Sequence, residues 1–395
     1  MRKSKLSKER TLQSDLILEL AQLITGKVEL QAIPETNWSG IVRLARRHGL
    51  APMLWWNLRQ QGRQVSDCVA FKDPENSAKI AGFNYQLMRE NQSKVQLALT
   101  QAGIPAIWIK GIALAQTLYP QPQLRPMDDL DVLVPYDQSQ AALKVIQSIG
   151  YYFPRQDALA EKMRAAESTA HHYHLRSSSA SEIILEIHFR LLGDEILLPI
   201  KEMDWFWQER EIIGQGQAAF SVLKPEANFL YLCAHTILAH GEFEFRLQRY
   251  YDLHLLVSQT RLDWDLILSR AMELGWTYTV KRALVLTYDY FATPVPQWVM
   301  DKLNNYRQSD KDYLHARQLR GNGLRWEGTL SSLAEFSWAE RMRQLFHLTF
   351  PPAEYMRVRY DIPAGRALLS YYIFRWLDAA GVLITASLQR LGFRK

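Results

Sequence analysis

The sequence predicts an α+β fold, a small mixed β-sheet held between N-terminal and C-terminal helical segments. Three observations carry this. Residues 14 to 102 keep apolar side chains at helical spacings. From 104 to about 195, short β-rich runs alternate with short helices. From Pro225 the helical periodicity returns. At 395 residues the chain is too long for one small core. It divides into an N-terminal helical segment (1–103), an α/β core (104–198), a C-terminal helical domain (199–320) and a helical extension (321–395).

Each element follows from its residues. Behind the basic start, "DLILELAQLITG" carries Asp15 and Glu19 within its apolar run. A signal peptide needs an uninterrupted apolar core, so an amphipathic helix is expected. "GIVRLARRHGLAPMLWWNLRQQG" sets Ile41, Leu44, Ala45, Leu50, Met53 and Leu54 on one stripe. "NSAKIAGFNYQLMRENQSKVQLALTQAG" reads as a long helix ended by Gly103. "IPAIWI" reads as a strand, "GIALAQTLY" as a short helix opened by glycine, and "DLDVLV" as an alternating strand. "SQAALKVIQSIG" is a helix closed by Gly150. "HHYHLRS" and "EIILEIHFRL" are alternating runs joined by "SSSAS", which predicts a hairpin and brings the unit to about four strands. "KPEANFLYLCAHTILAH" has proline at a first helical position, and three further helix signals follow up to Pro296.

The net charge, 47 basic minus 41 acidic residues, is +6. It permits anionic partners and gives nucleic acid little support. Cys68 and Cys233 sit far apart in apolar surroundings, so buried free thiols in a reducing cytoplasm are expected. No window offers the ~20 uncharged apolar residues of a membrane span. The nearest, 367–391, is interrupted by Arg375 and Asp378.

The chemistry concentrates in the core. On a strand, Asp129, Asp131 and Leu133 share one face, with Leu130, Val132 and Val134 on the other. Two carboxylates so placed repel unless a cation or proton intervenes, and hard oxygen ligands on a strand suit Mg²⁺ with substrate phosphates. Glu186 shares a face with His188 and Arg190, so a strand beside 129–134 adds a third carboxylate. Gly111, between strand and helix, would let a phosphate approach free backbone N–H groups. Lys110 and Arg125 could neutralise a triphosphate. Each piece alone has a plain structural reading: an ordinary half-buried strand, a solvated loop arginine. Their order along the chain is what points to a site.

The run "GIPAIWIKGIALAQTLYP…LRPMDDLDVLVP", followed by Glu186-Ile187-His188, resembles an uncharacterised bacterial nucleotidyltransferase family of the DNA polymerase β-like superfamily. "LARRHGLAPMLWWNL" and the helices after Pro225 resemble its flanking segments, so the likeness spans most of 35–300. The resemblance implies a polymerase β-like core with Asp129, Asp131 and Glu186 as catalytic metal ligands for Mg²⁺, or Mn²⁺ in its place. It implies Lys110, Gly111 and Arg125 as nucleotide contacts. One departure stands out: the superfamily usually has Gly-Ser after the first strand, whereas Gly111 precedes Ile112.

Other side chains admit two readings each. His171, His172, His174 and His188 cluster in the hairpin, with His172 and His174 on one strand face; they could gather at a zinc ion or decorate a polar hairpin, and His188 could support Glu186. His235 and Asp252 could line the acceptor side of a cleft, as the resemblance implies, or tie two helices together as a buried pair. The last helix, 366–391, could lie on a membrane surface or pack on its own domain. Arg357 and Arg359, beside Tyr355 and Tyr360, could stack with nucleic acid or form a solvated connector.

The expected activity is transfer of a nucleoside monophosphate from an NTP to an unknown acceptor hydroxyl, with release of pyrophosphate, by a two-metal mechanism. Asp131 or Glu186 would accept the acceptor's proton. The rivals are a non-catalytic nucleotide-binding scaffold of the same fold and a peripheral protein of envelope polysaccharide synthesis.

Overall fold

The structure, a computed structural model, describes residues 15–61, 72–154, 171–179, 181–192, 200–216, 219–240, 245–307, 338, 342, 346, 349, 350, 356 and 366–377. Cys68, the connector with Tyr355, Arg357, Arg359 and Tyr360, and the end of the last helix lie outside the described residues.

One mixed sheet organises the chain. Its strands are β1 (Ile107–Ile109), β2 (Asp129–Leu133), β3 (Tyr151–Tyr152), β4 (His172–Ser177), β5 (Ile184–His188), β6 (Arg210–Ile213) and β7 (Phe220–Leu223). They lie in the order β3-β4-β5-β2-β1-β7-β6. β2 runs parallel to β5 and antiparallel to β1, and β1 runs parallel to β7. The predicted hairpin is the antiparallel β4–β5 pair. Among the described residues the sheet has seven strands: five lie within 104–195, where about four were expected, the two-residue β3 being the addition, and β6 and β7 lie beyond. β6 and β7 are four residues each, too short to stand out in the sequence until β1 offers β7 an edge.

Side-chain alternation gives the sheet two different faces. Trp108, Leu130, Val132, Leu185 and Ile187 are fully buried with Val95 and Leu99 of the long helix Lys72–Gln101 and with Ile146. Burying each such side chain contributes roughly 1.5–3 kcal/mol. A one-residue slip would push Asp129 and Asp131 into this apolar layer, so the packing fixes their register. On the opposite face, Ile107, Ile109 and Leu133 join a larger core with both helical segments, including Leu44, Leu54, Phe229, Tyr250 and Val280. The carboxylates point to this side.

The N-terminal apolar stripe forms two helices, Glu35–Arg47 and Ala51–Gln60. Gly49 breaks it with φ +72°, a conformation L-residues rarely adopt, and a Cβ there would stand 2.8 Å from Gln248 Oε1. Gly103, at φ +69°, ends the long helix as predicted. Cys233 is a buried free thiol. No helix among the described residues is long and apolar enough to cross a membrane. In the last helix, described through 377, Leu369, Ile373, Phe374 and Leu377 are exposed.

Candidate active site

The site begins where β1 turns into the helix Lys110–Leu118. Lys110 takes the left-handed conformation, φ +50°, which costs an L-residue about 1–2 kcal/mol. Gly111 does not have a positive φ. The left-handed turn into the helix therefore falls on the lysine and not on the glycine beside it. Gly111 serves close approach instead: a Cβ there would stand 3.2 Å from Met127 Cβ and 3.3 Å from Arg125 Nη1.

Lys110 reaches across the sheet. Its Nζ donates to Asp131 Oδ1 at 2.6 Å and lies 3.6 Å from Glu186 Oε2. Burial opposes the ammonium charge, but Asp131, Tyr231 and Glu186 outweigh it and raise the lysine above its ordinary range. Asp131 and Glu186 are direct neighbours across the β2–β5 pair, as the alternation anticipated. Burial, then the charges of Asp131 and Glu186, push the Asp129 carboxyl up to about 7. For Glu186, burial acts upward. Hydrogen bonds from His174 and His188, with the charges of His188 and Lys110, overcome it and hold the carboxyl below the usual range.

His188 is 1% exposed and joins the two carboxylates. Its Nε2 lies 2.9 Å from Asp131 Oδ1 and 3.0 Å from Glu186 Oε2. Both are acceptors, so Nε2 carries the proton. The β4–β5 register sets His172 opposite His188 and His174 opposite Glu186. Of the four clustered histidines, His171, His172 and His188 gather their ring nitrogens, while His174 Nδ1 lies 3.7 Å from Glu186 Oε1.

Arg125 is buried rather than solvated. Its Nε and Nη2 donate to the two oxygens of Asp252, at 3.0 and 2.8 Å, and the Tyr119 hydroxyl donates to Asp252 Oδ1 at 2.7 Å. The buried His235–Asp252 pair does not form. His235 meets His240 instead, 3.2 Å between their Nε2 atoms, across a π-helical turn, His235–Ala239. Burial, then Lys110 and His240, keep His235 neutral.

All of these residues line one cleft of about 360 Å³: Lys110, Gly111, Arg125, Asp129, Asp131, Glu186, His188, His235 and Asp252. Sequence reading missed Arg246, which also lines it and lies 3.6 Å from Asp128. Its signal was a spacing of three from Arg249, which also lines the cleft, one helical turn away. Ligand atoms of Asp131, Glu186 and His188 lie within 4.8 Å of one another, and Asp129 precedes Asp131 by two residues on the same strand. This oxygen-rich donor set fits Mg²⁺ or Mn²⁺.

A model of the family described as uncharacterised nucleotidyltransferases matches residues 34–292, a span that contains every residue of the cleft. Among solved structures, an antigenic nucleotidyltransferase-like protein from Paracoccidioides brasiliensis is similar at 12% identity and a TM-score of 0.35. That match covers 56% of this chain and 94% of the other. No curated protein matches.

Proposed function

Since the chain belongs to the uncharacterised nucleotidyltransferase family, we propose that it transfers a nucleoside monophosphate from an NTP to an acceptor hydroxyl and releases pyrophosphate. The observation that carries this reading is the Asp131–Glu186 pairing, with Asp129 on the same strand and Lys110 and Arg125 in the same cleft. Asp129, Asp131 and Glu186 would hold Mg²⁺ or Mn²⁺, which activates the attacking hydroxyl and neutralises the leaving pyrophosphate.

The chain's own residues position and neutralise. Asp252 holds the Arg125 guanidinium by two bonds, leaving Nη1 beside Gly111 for a phosphate oxygen. Lys110 adds a second cation to that wall. His188 orients Asp131 and Glu186 together, and one of these two carboxylates takes the acceptor's proton. In-line transfer of this kind depends mainly on such positioning. The buried thiol of Cys233 supports a reducing, cytoplasmic setting.

Transfer is tested with NTP labelled at the α- or γ-phosphate, incubated with Mg²⁺ and acceptor pools. The α-label should move to the acceptor and the γ-label to pyrophosphate, and Asp131→Asn should stop both. A second reading, nucleotide binding without turnover, draws on the Lys110 ammonium, which already sits 2.6 Å from Asp131. It predicts bound NTP whose labels never part.

A further inference from the structure

Beside the carboxylates, β4 and β5 bring three imidazoles together. His171, His172 and His188 each place a ring nitrogen within 4.8 Å of one from each of the others. Their ring centroids are 4.1 Å (His171–His172), 5.1 Å (His172–His188) and 5.7 Å (His171–His188) apart. The backbone carbonyl of His171 accepts the amides of Phe189 and Arg190, at 2.9 and 3.2 Å, which pins it to the end of β5.

The nitrogens left over are informative. His188 commits Nε2 to Asp131 and Glu186, and its Nδ1 is buried with no hydrogen-bond partner among the described residues. His172 turns Nε2 toward Glu186 Oε1, 3.8 Å away, and its Nδ1 is also buried with no partner among the described residues. Leaving a buried polar nitrogen unsatisfied costs about 1–3 kcal/mol. With Nε2 of His188 held by the two carboxylates, Nδ1 is the nitrogen left for a metal, which displaces any proton carried there. A carboxylate-bonded imidazole with its other nitrogen free is the arrangement that orients and strengthens a metal-ligating histidine.

We propose that His171, His172 and His188 form a site for a transition-metal ion of the Zn²⁺ class, adjoining and distinct from the oxygen site of Asp129, Asp131 and Glu186. Imidazoles suit such ions and do not suit Mg²⁺. In a tetrahedral site with Zn–N near 2.0–2.1 Å the nitrogens stand ~3.4 Å apart, and here ring nitrogens already lie within 4.8 Å of one another. Three protein ligands leave a fourth position open to water or substrate. His188 then links the sites, with one nitrogen on the metal and the other on the two carboxylates.

The test titrates the full chain with Co²⁺, as a visible probe, in saturating Mg²⁺. The expected result is one equivalent bound, with the strong visible absorption of a low-coordinate nitrogen site. His171→Gln and His172→Gln should each weaken binding by more than the ~10–100-fold lost when an outer partner is removed. Both variants should keep the wild-type far-UV spectrum. Asp129→Asn should leave the Co²⁺ band in place. Co²⁺ displaced by Mg²⁺, bound equally by both histidine variants, or not bound at all would overturn the proposal.

Discussion

Asp131 and Glu186 stand opposite each other across the parallel β2–β5 pair, and one histidine, His188, lies within 3.0 Å of both. Lys110 adds a 2.6 Å bond to Asp131 from the other flank. Two carboxylates, an imidazole and an ammonium therefore share one small patch, buried at Asp131 and His188 and half-buried at Lys110 and Glu186. Such a cluster works only if each member stays where its strand puts it.

Asp131→Asn and Glu186→Gln keep size and remove one charge each. Nucleotide transfer should fall at least ~100-fold, the scale on which losing one electrostatic stabiliser acts. Far-UV circular dichroism should be unchanged, because the apolar face of β2 and β5 is untouched. Pyrophosphate release reads the first effect directly.

Lys110 carries two separable demands, a positive charge and a positive φ. Lys110→Asn drops the charge but tolerates the left-handed backbone. Lys110→Ile drops the charge and resists it. The isoleucine variant should be less stable than the asparagine variant by about 1–2 kcal/mol. Both should bind NTP more weakly than wild type. Urea midpoints and nucleotide titrations separate the two demands.

Breaking the Arg125–Asp252 pair strands a buried charge, since both side chains are nearly inaccessible. Asp252→Ala should cost about 3–5 kcal/mol of unfolding free energy. Arg125→Met with Asp252→Leu should recover part of that loss while remaining unable to bind triphosphate tightly. Stability recovered without binding would confirm that the pair serves the site as well as the fold.

His48 makes stability depend on pH. Burial, then Arg47 and Arg246, lower its pKa to about 4 in the folded chain, against 6.5 ordinarily. Between those values the unfolded chain binds the proton and the folded chain does not. Stability therefore falls as pH drops from 6.5 toward 4, by up to about 1.4 kcal/mol per pH unit from this group. His48→Gln should flatten that slope when urea midpoints are compared at pH 7 and pH 5.

The residues of the site were legible in the sequence because strand alternation and spacing encode faces. Asp129, Asp131, Glu186 and His188 all lie where period-two reading puts them. What sequence could not supply was long-range partnering. Asp252 bonds Arg125 rather than His235, because the Leu247–Gln259 helix brings that carboxylate under the loop before β2. The left-handed turn at Lys110 was hidden because a lysine rarely adopts it and a glycine stands next door. β6 and β7 were hidden by length, since four residues do not establish a period.

The most direct test of the central claim is calorimetric titration of NTP into the full chain with and without Mg²⁺, for wild type, Asp129→Asn and Asp131→Asn. Wild type should bind only in the presence of the metal, and both variants should lose that binding. NTP binding that ignores the metal and both substitutions, or no binding by folded wild type, would contradict it.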